Sequence, residues 1–252
     1  MIYVGVPSYN ERRTIGLLLW RVREILTELE RDFEMLVVDD ASTDGTAEAL
    51  EPYRRVLPLT VVRQPRRLGY AAAVERLIRE SVMRSDYPKR DALICMQGDF
   101  TDPPESIPDL LKRFEGGVDI VAAASPGEAD APRGVRIARR ASAVLARGLP
   151  TPPEISDPFA SYRLYRLFVL KRALGRVEEG PLLRHQGWAA NAELLISVWP
   201  HARQIEELTS ERDYSRRFRR SRFRTVTEVL SLLRASRDRR LKGPRLSAGG
   251  EA

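Results

Sequence analysis

The chain has 252 residues, 43% hydrophobic and 31% charged, with a formal net charge of +7 and one cysteine. That length fits one large α/β domain with a small appendage. No apolar run reaches the roughly 18 residues of a membrane span, and Cys95 alone excludes an internal disulfide or a cysteine–metal framework.

The strand-like start Ile2-Tyr3-Val4-Gly5-Val6 leaves no signal-peptide pattern, and a cytoplasmic location is expected. The periodicity then predicts a buried strand over residues 2–7 and a helix from Glu11 to Arg31, with Ile15, Leu18, Leu19, Val22, Ile25, Leu26 and Leu29 at helical spacing. A second strand is expected over Glu34–Asp39. A short helix over Ala47–Tyr53 follows, with Asp44 as its N-cap. Leu59–Arg63 reads as the third strand. Gly69 opens a helix carrying Ala72, Ala73, Leu77, Ile78 and Val82 on one face, and Asp91–Met96 is the fourth strand. Pro103-Pro104 suits the first turn of another helix, with Leu110, Leu111 and Phe114 on it, before a fifth strand over Asp119–Ala124. Strands alternating with helices at this spacing imply βαβ units and a mostly parallel, Rossmann-like sheet flanked by helices.

Beyond residue 125 the rhythm breaks. Helices are expected over Arg133–Arg147, Gln186–Val198 and Thr225–Arg240, strands over Ser161–Tyr165 and Ala202–Glu207, and a loop at Thr151-Pro152-Pro153. Twelve basic residues lie between Arg212 and Lys242 against Asp213, Glu228 and Asp238, a local charge of +9 that leaves the rest of the chain near −2. The expected organisation is a domain over 1–211, a basic segment with a C-terminal helix over 212–242 packed on or near it, and a disordered tail over 243–252. Cys95 lies in an apolar run and reads as a buried core thiol.

Two acidic segments stand where buried strands should end: Leu36-Val37-Val38-Asp39-Asp40-Ala41-Ser42-Thr43-Asp44-Gly45-Thr46, and Leu93-Ile94-Cys95-Met96-Gln97-Gly98-Asp99-Phe100-Thr101-Asp102-Pro103-Pro104-Glu105. Ligands of open α/β sheets bind just outside the carboxyl ends of the strands. Carboxylates there can hold a divalent cation or sugar hydroxyls.

Val6-Pro7-Ser8-Tyr9-Asn10-Glu11 and the Val37–Thr46 segment together resemble the first two strand ends of the family-2 glycosyltransferases with the GT-A fold. The branch most resembled is that of the polyprenol-phosphate sugar synthases, with the likeness running from residue 2 to about 240. The resemblance implies an inverting transfer of a sugar from a nucleotide-diphosphate sugar, of GDP-mannose or UDP-glucose type, to a polyprenyl phosphate. A soluble metabolite or glycan hydroxyl is the alternative acceptor. From other classes, a non-catalytic nucleotide-sugar-binding protein or a nucleic-acid-binding protein would use the same features.

The family's site residues carry over by position. Pro7, Tyr9 and Glu11 would shape the pocket for the base, and Asp39 or Asp40 would accept hydrogen bonds from base N–H groups or ribose hydroxyls. Gly69 falls where the backbone must approach closely, and Arg63 and Arg67 could touch the diphosphate. Met96–Glu105 aligns with the segment that holds Mg²⁺ or Mn²⁺ on the donor, so Asp99 is the expected metal ligand, with Gly98 beside it. Gln97 replaces the first acid; it can ligate through its carbonyl but lacks the charge, so metal affinity should fall or Asp102 should contribute. Ser125 replaces an arginine of many relatives, for which Arg133, Arg136, Arg139 or Arg140 could substitute. Asp157, in Asp157-Pro158-Phe159-Ala160-Ser161-Tyr162-Arg163, is a candidate base for a hydroxyl acceptor, with Glu193 as its rival and Arg163 in the same motif. Arg216 and Arg222 match a segment that closes over the donor phosphates, for which forked donors suit. The surrounding basic run also suits an anionic membrane surface.

Overall fold

The computed structural model describes residues 1–125, 142, 144, 146, 148–177, 180–210, 231–234 and 238. Its main elements are β1 (Ile2–Ser8), α1 (Ile15–Glu28), β2 (Phe33–Asp39), α2 (Thr46–Arg54), β3 (Leu59–Arg63), α3 (Tyr70–Arg84), β4 (Ala92–Cys95), α4 (Ile107–Glu115), β5 (Ile120–Ala124), β6 (Arg163–Arg166), α5 (Leu167–Leu174), α6 (Trp188–Val198) and β7 (Ile205–Thr209). Residues 142, 144, 146 and 231–234 are helical. The rest of the expected helix over 133–147 and most of that over 225–240 lie outside the described residues, as do the basic run from Arg212 to Leu230, including Arg216 and Arg222, and the 243–252 tail.

The sheet has seven strands in the order β3-β2-β1-β4-β6-β5-β7. β1, β2, β3 and β4 run parallel, and β7 runs parallel to β5. β6 alone is antiparallel, wedged between β4 and β5. Side chains alternate across each strand, which divides the core in two. Val4, Val6 and Val37 face Leu18, Leu19, Leu50, Leu110 and Phe114 of α1, α2 and α4. Tyr3, Leu36 and Val38 face Leu77, Ile78, Leu170 and Leu194 of α3, α5 and α6.

Several expected boundaries move. α1 starts at Ile15 rather than Glu11, because Asn10 takes φ +55° and the Glu11 N–H goes to Thr46 Oγ1 at 2.9 Å. Gly45, at φ +84°, holds the N-cap position of α2, and Asp44 reaches past it to accept the Thr46 N–H at 3.0 Å. The strand expected over Ser161–Tyr165 is Arg163–Arg166, and the last strand is Ile205–Thr209, because a short 3₁₀ turn over Trp199–His201 precedes it. α5 is an element that the periodicity did not disclose. Arg166 anchors its start: Nε donates to Asp119 Oδ1 at 2.6 Å, and the guanidinium stacks 4.2 Å over Phe114.

Candidate active site

Because β1, β2 and β4 run parallel, the loops that leave them converge at one edge of the sheet, the carboxyl edge where ligands of such sheets bind. Pairing of β1 with β4 stops at Gly5–Cys95. Pro7 therefore lies past that ladder, where its missing N–H breaks no bond to β4. The first two loops are stitched together: Ser42 Oγ accepts the Asn10 N–H at 2.7 Å, and Asn10 Oδ1 accepts the Thr43 N–H at 2.7 Å.

Asp39 ends β2, fully buried, opposite Ser8 of β1 and Arg63 of β3. Its Oδ1 accepts the Ser42 N–H at 3.1 Å. Its Oδ2 has no hydrogen-bond partner among the described residues, the Arg63 Nε standing 3.6 Å away. Ser8 Oγ and Gln64 Oε1, at the two adjacent strand ends, are likewise buried without a partner. Leaving such a group unsatisfied costs about 1–3 kcal/mol. Ser8 faces Asp39 directly across the β1–β2 ladder, and the pair suits a ligand that presents N–H and O–H groups.

Asp40 differs from its neighbour. Its two oxygens accept the Leu68 N–H at 2.6 Å and the Gly69 N–H at 2.9 Å, which fixes the turn that opens α3. Of the two acids offered by the sequence, Asp39 is the one with a carboxylate oxygen left over. Gly69 has φ +96°, and a Cβ there would lie 2.6 Å from Gln186 Oε1. The close approach expected at this glycine is thus to a protein side chain. Arg67 lies over the Tyr9 ring, 4.0 Å from its centroid. A cavity of about 670 Å³ adjoins this corner, lined in part by Arg63, Gln64, Leu68, Arg184 and Gln186.

At the third loop, Gly98 packs under β1 and the loop that follows it. A Cβ would meet Val6 Cγ1 at 3.3 Å and Glu11 Cγ at 3.4 Å, so the glycine lets Gln97 and Asp99 come up against buried Glu11. Asp99 Oδ1 accepts the Thr101 N–H at 3.2 Å and the Thr101 hydroxyl. Asp102, fully buried, accepts the Gln97 N–H at 2.9 Å and the Ser161 hydroxyl at 3.3 Å. It braces the loop. No group of three His, Cys, Asp or Glu able to hold a metal occurs among the described residues. Asp99 with the Gln97 side-chain carbonyl fits a cation that draws its other oxygens from phosphates and water, the usual manner of Mg²⁺.

Two of the expected catalytic residues are buried and hydrogen-bonded within the protein. Arg163 is fully buried: its guanidinium donates to the carbonyls of Asn191 at 2.9 Å and Asp157 at 3.1 Å, while Nε has no hydrogen-bond partner among the described residues. It ties the 157–159 segment to α6. Asn191 completes that tie, donating to the Phe159 carbonyl at 3.0 Å and accepting from the Tyr70 hydroxyl at 2.8 Å. Glu193 is also buried, and its Oε2 accepts the N–H groups of Arg184 at 2.8 Å and His185 at 2.9 Å, with His185 Nδ1 at 3.2 Å. It holds the turn that precedes α6. Asp157 is half-buried, its Oδ1 accepting the Phe159 N–H at 3.0 Å. Burial pushes the Cys95 thiol up to about 12, with Arg163 pulling against that shift, so Cys95 is a core residue.

The sequence reading did not single out the buried polar groups of Ser8 and Gln64, nor Asn191 and Gln186 as supports. The available signal for the first two was their place at strand ends flanking Asp39.

Residues 3–174 match the family described as Glycosyl transferase family 2. The chain is 28% identical over 200 residues to dolichol-phosphate mannosyltransferase of Pyrococcus furiosus, covering 77% of this chain and 52% of that protein. It is 32% identical over 122 residues to undecaprenyl-phosphate 4-deoxy-4-formamido-L-arabinose transferase of Pseudomonas fluorescens, covering 48% and 34% respectively. The chain thus spans about half or less of the length of these curated relatives. Glucosyl-3-phosphoglycerate synthase from Mycobacterium tuberculosis, crystallised with Mn²⁺, uridine-diphosphate-glucose and phosphoglyceric acid, aligns with TM-score 0.64 and 19% identity over 94% of this chain and 79% of that one. Mannosyl-3-phosphoglycerate synthase from Rubrobacter xylanophilus aligns with TM-score 0.64 and 20% identity over 96% and 74%. These likenesses, with the mostly parallel seven-stranded sheet, establish the GT-A fold. The chain belongs to glycosyl transferase family 2, and its curated relatives include members of the polyprenyl-phosphate branch.

Proposed function

We propose that this protein transfers a sugar from a nucleotide-diphosphate sugar to a polyprenyl phosphate. The observation that carries the donor half is the buried Oδ2 of Asp39, which has no hydrogen-bond partner among the described residues, with Ser8 Oγ in the same condition across the β1–β2 ladder. A base edge or a ribose supplies the donors these atoms lack, and Tyr9, stacked by Arg67, gives the pocket an aromatic wall. The acceptor half is supported by the names of the curated relatives and by the basic run between Arg212 and Lys242.

In this reading an acceptor phosphate oxygen attacks the anomeric carbon while the bond from that carbon to the diphosphate oxygen breaks, with inversion. Asp99 and Gln97 would hold Mg²⁺ or Mn²⁺ against the diphosphate, and the cation would supply positive charge to the leaving group. Arg216 and Arg222 would donate to the same oxyanions. A phosphate acceptor is already an anion and needs no base. Asp157 would take a proton only from a hydroxyl acceptor. No helix of the described residues is long and apolar enough to cross a membrane. Contact with an anionic bilayer would come from the basic segment, at about 1 kcal/mol per Lys or Arg near the surface.

The test measures nucleotide release from GDP-mannose and UDP-glucose, with Mn²⁺, in the presence and absence of undecaprenyl phosphate. Release that depends on the lipid supports the proposal. Release that needs a soluble alcohol instead moves the acceptor to the hydroxyl class. Absence of any nucleotide-dependent thermal shift, where a ligand at 100 times its Kd would stabilise by about 2.7 kcal/mol, overturns the donor assignment.

A further inference from the structure

Several arginines on the body of the domain are paired with carboxylates. Arg21, Arg31, Arg54, Arg76, Arg79 and Arg84 each have a carboxylate oxygen within 3.3 Å. One corner gathers basic side chains around a single concavity. A cavity of about 820 Å³ is lined by Lys89, Arg90, Lys171, Arg172, Arg176 and His201. None of these five Lys and Arg side chains forms an ion pair with a described residue. Asp86 is the one acid on the lining among the described residues.

The cavity lies away from the candidate active site. Lys89 and Arg90 precede β4, and Lys171 and Arg172 belong to α5, which follows β6. Because β6 is antiparallel, its last residue, Arg166, pairs with the first residue of β4, Ala92. The two basic segments therefore meet at the amino end of β4, opposite the carboxyl edge that carries Asp39 and Asp99. Phe168 forms a wall between them, with the Arg172 guanidinium 5.1 Å and the Lys89 ammonium 5.9 Å from its centroid. His201 Nε2 is buried without a hydrogen-bond partner among the described residues. Burial lowers its pKa first, and Arg176 and Arg172 lower it further.

Like charges gathered around a concave surface repel one another, and an anion placed among them reverses that term. Arginine and lysine match phosphoryl oxygens in particular, by forked and point donation. The volume falls in the range of small-molecule sites, about 300–1,000 Å³. We infer that this cavity is a second binding site, separate from the sugar-transfer site, for a phosphate-bearing anion with an apolar part that rests on Phe168. The phosphoryl group could belong to a free metabolite or to a lipid headgroup.

The chain has two histidines, His185 and His201, so ¹⁵N-histidine labelling of the full chain gives a resonance for each region. Pyrophosphate is the soluble probe. It should move the His201 signal and raise its titration midpoint. The exposed double variant Lys171→Glu with Arg172→Glu should weaken that response roughly tenfold or more, whatever happens at His185. The second arm is flotation with vesicles of equal parts phosphatidylglycerol and phosphatidylcholine. A His201 response to pyrophosphate assigns a free phosphate ligand. Flotation lowered severalfold by the double variant, without that response, assigns a lipid headgroup. If His201 is silent to pyrophosphate and the variant floats like the parent, or if the His201 response survives the double variant, the site is overturned.

Discussion

Asp40 accepts the Gly69 N–H at 2.9 Å, joining the end of β2 to the start of α3. Its other oxygen takes the Leu68 N–H, so this carboxylate is wholly engaged in holding a turn, while Asp39 beside it has one buried oxygen with no hydrogen-bond partner among the described residues, 3.6 Å from Arg63 Nε. The two neighbours should fail differently. Asp40→Ala strips two backbone N–H groups of a charged acceptor and should destabilise the fold by about 2–3 kcal/mol in urea denaturation. Asp39→Asn can still accept the Ser42 N–H and should leave stability nearly intact. Its affinity for UDP or GDP should fall about ten- to a hundredfold, the loss of one hydrogen bond to a charged group. Equal nucleotide binding by Asp39→Asn and the parent would remove Asp39 from the base site.

Gly69 should resist substitution for two separable reasons. Its φ of +96° with ψ 172° belongs to a region open essentially to glycine, and a Cβ would also collide with Gln186 Oε1. Gly69→Ala should lose on the order of 2–4 kcal/mol. Adding Gln186→Ala should restore only the steric part, because the backbone strain persists. Full rescue by the double variant would show that the dihedral has no cost.

Much of this was readable in the residues, and the exceptions share a physical cause. The first five strands and their helices follow from period and turn chemistry, which are local. Arg163 reads in sequence as a polar residue next to a motif. Its real environment consists of carbonyls at Asn191 and Asp157, brought to it by the antiparallel insertion of β6. Glu193 reads as a helix acid, but its partners are N–H groups in the turn ahead of that helix. α5 spans only Leu167–Leu174, too short for a helical period to stand out from a mostly apolar run. The basic cavity is split in the sequence between residues 89–90 and 171–176, and only the pairing of β4 with β6 brings them together.

Arg163 should therefore behave as a structural residue. Arg163→Ala opens a fully buried volume and orphans two carbonyls, and should cost about 3–5 kcal/mol. Arg163→Lys, which lacks the fork, should recover only part of that. In both variants, at a temperature where they remain folded, nucleotide affinity should stay within a fewfold of the parent. A Lys variant of parental stability with no turnover would return Arg163 to the catalytic set.

The Gln97–Asp99 loop allows a test of charge alone. Gln97→Asp adds a carboxylate two residues before Asp99 and should tighten Mn²⁺ binding, in the presence of UDP or GDP, by about tenfold or more, since affinity for hard cations follows the ligand charge count. Asp99→Asn should weaken it by a comparable factor. Electron paramagnetic resonance titration of free Mn²⁺ reads both. If Gln97→Asp leaves the affinity unchanged, the side chain at 97 does not reach the cation.

His201 should make stability depend on pH in a defined direction. Its ordinary value is 6.5, and the native pocket lowers it, through burial and then through Arg176 and Arg172. As pH falls below about 6.5 the unfolded imidazole takes up a proton that the folded one resists, so the unfolded state binds more protons and stability declines with acidification. His201→Gln removes that difference. Its denaturation midpoint should fall less than the parent's between pH about 7 and about 5. Lys89, Arg90, Lys171 and Asp86 share the cavity, but they remain in both proteins, so the comparison isolates the imidazole. Pyrophosphate should shrink the gap between the two proteins, because an anion beside the ring favours its charged form and moves the native pKa back toward the unfolded one.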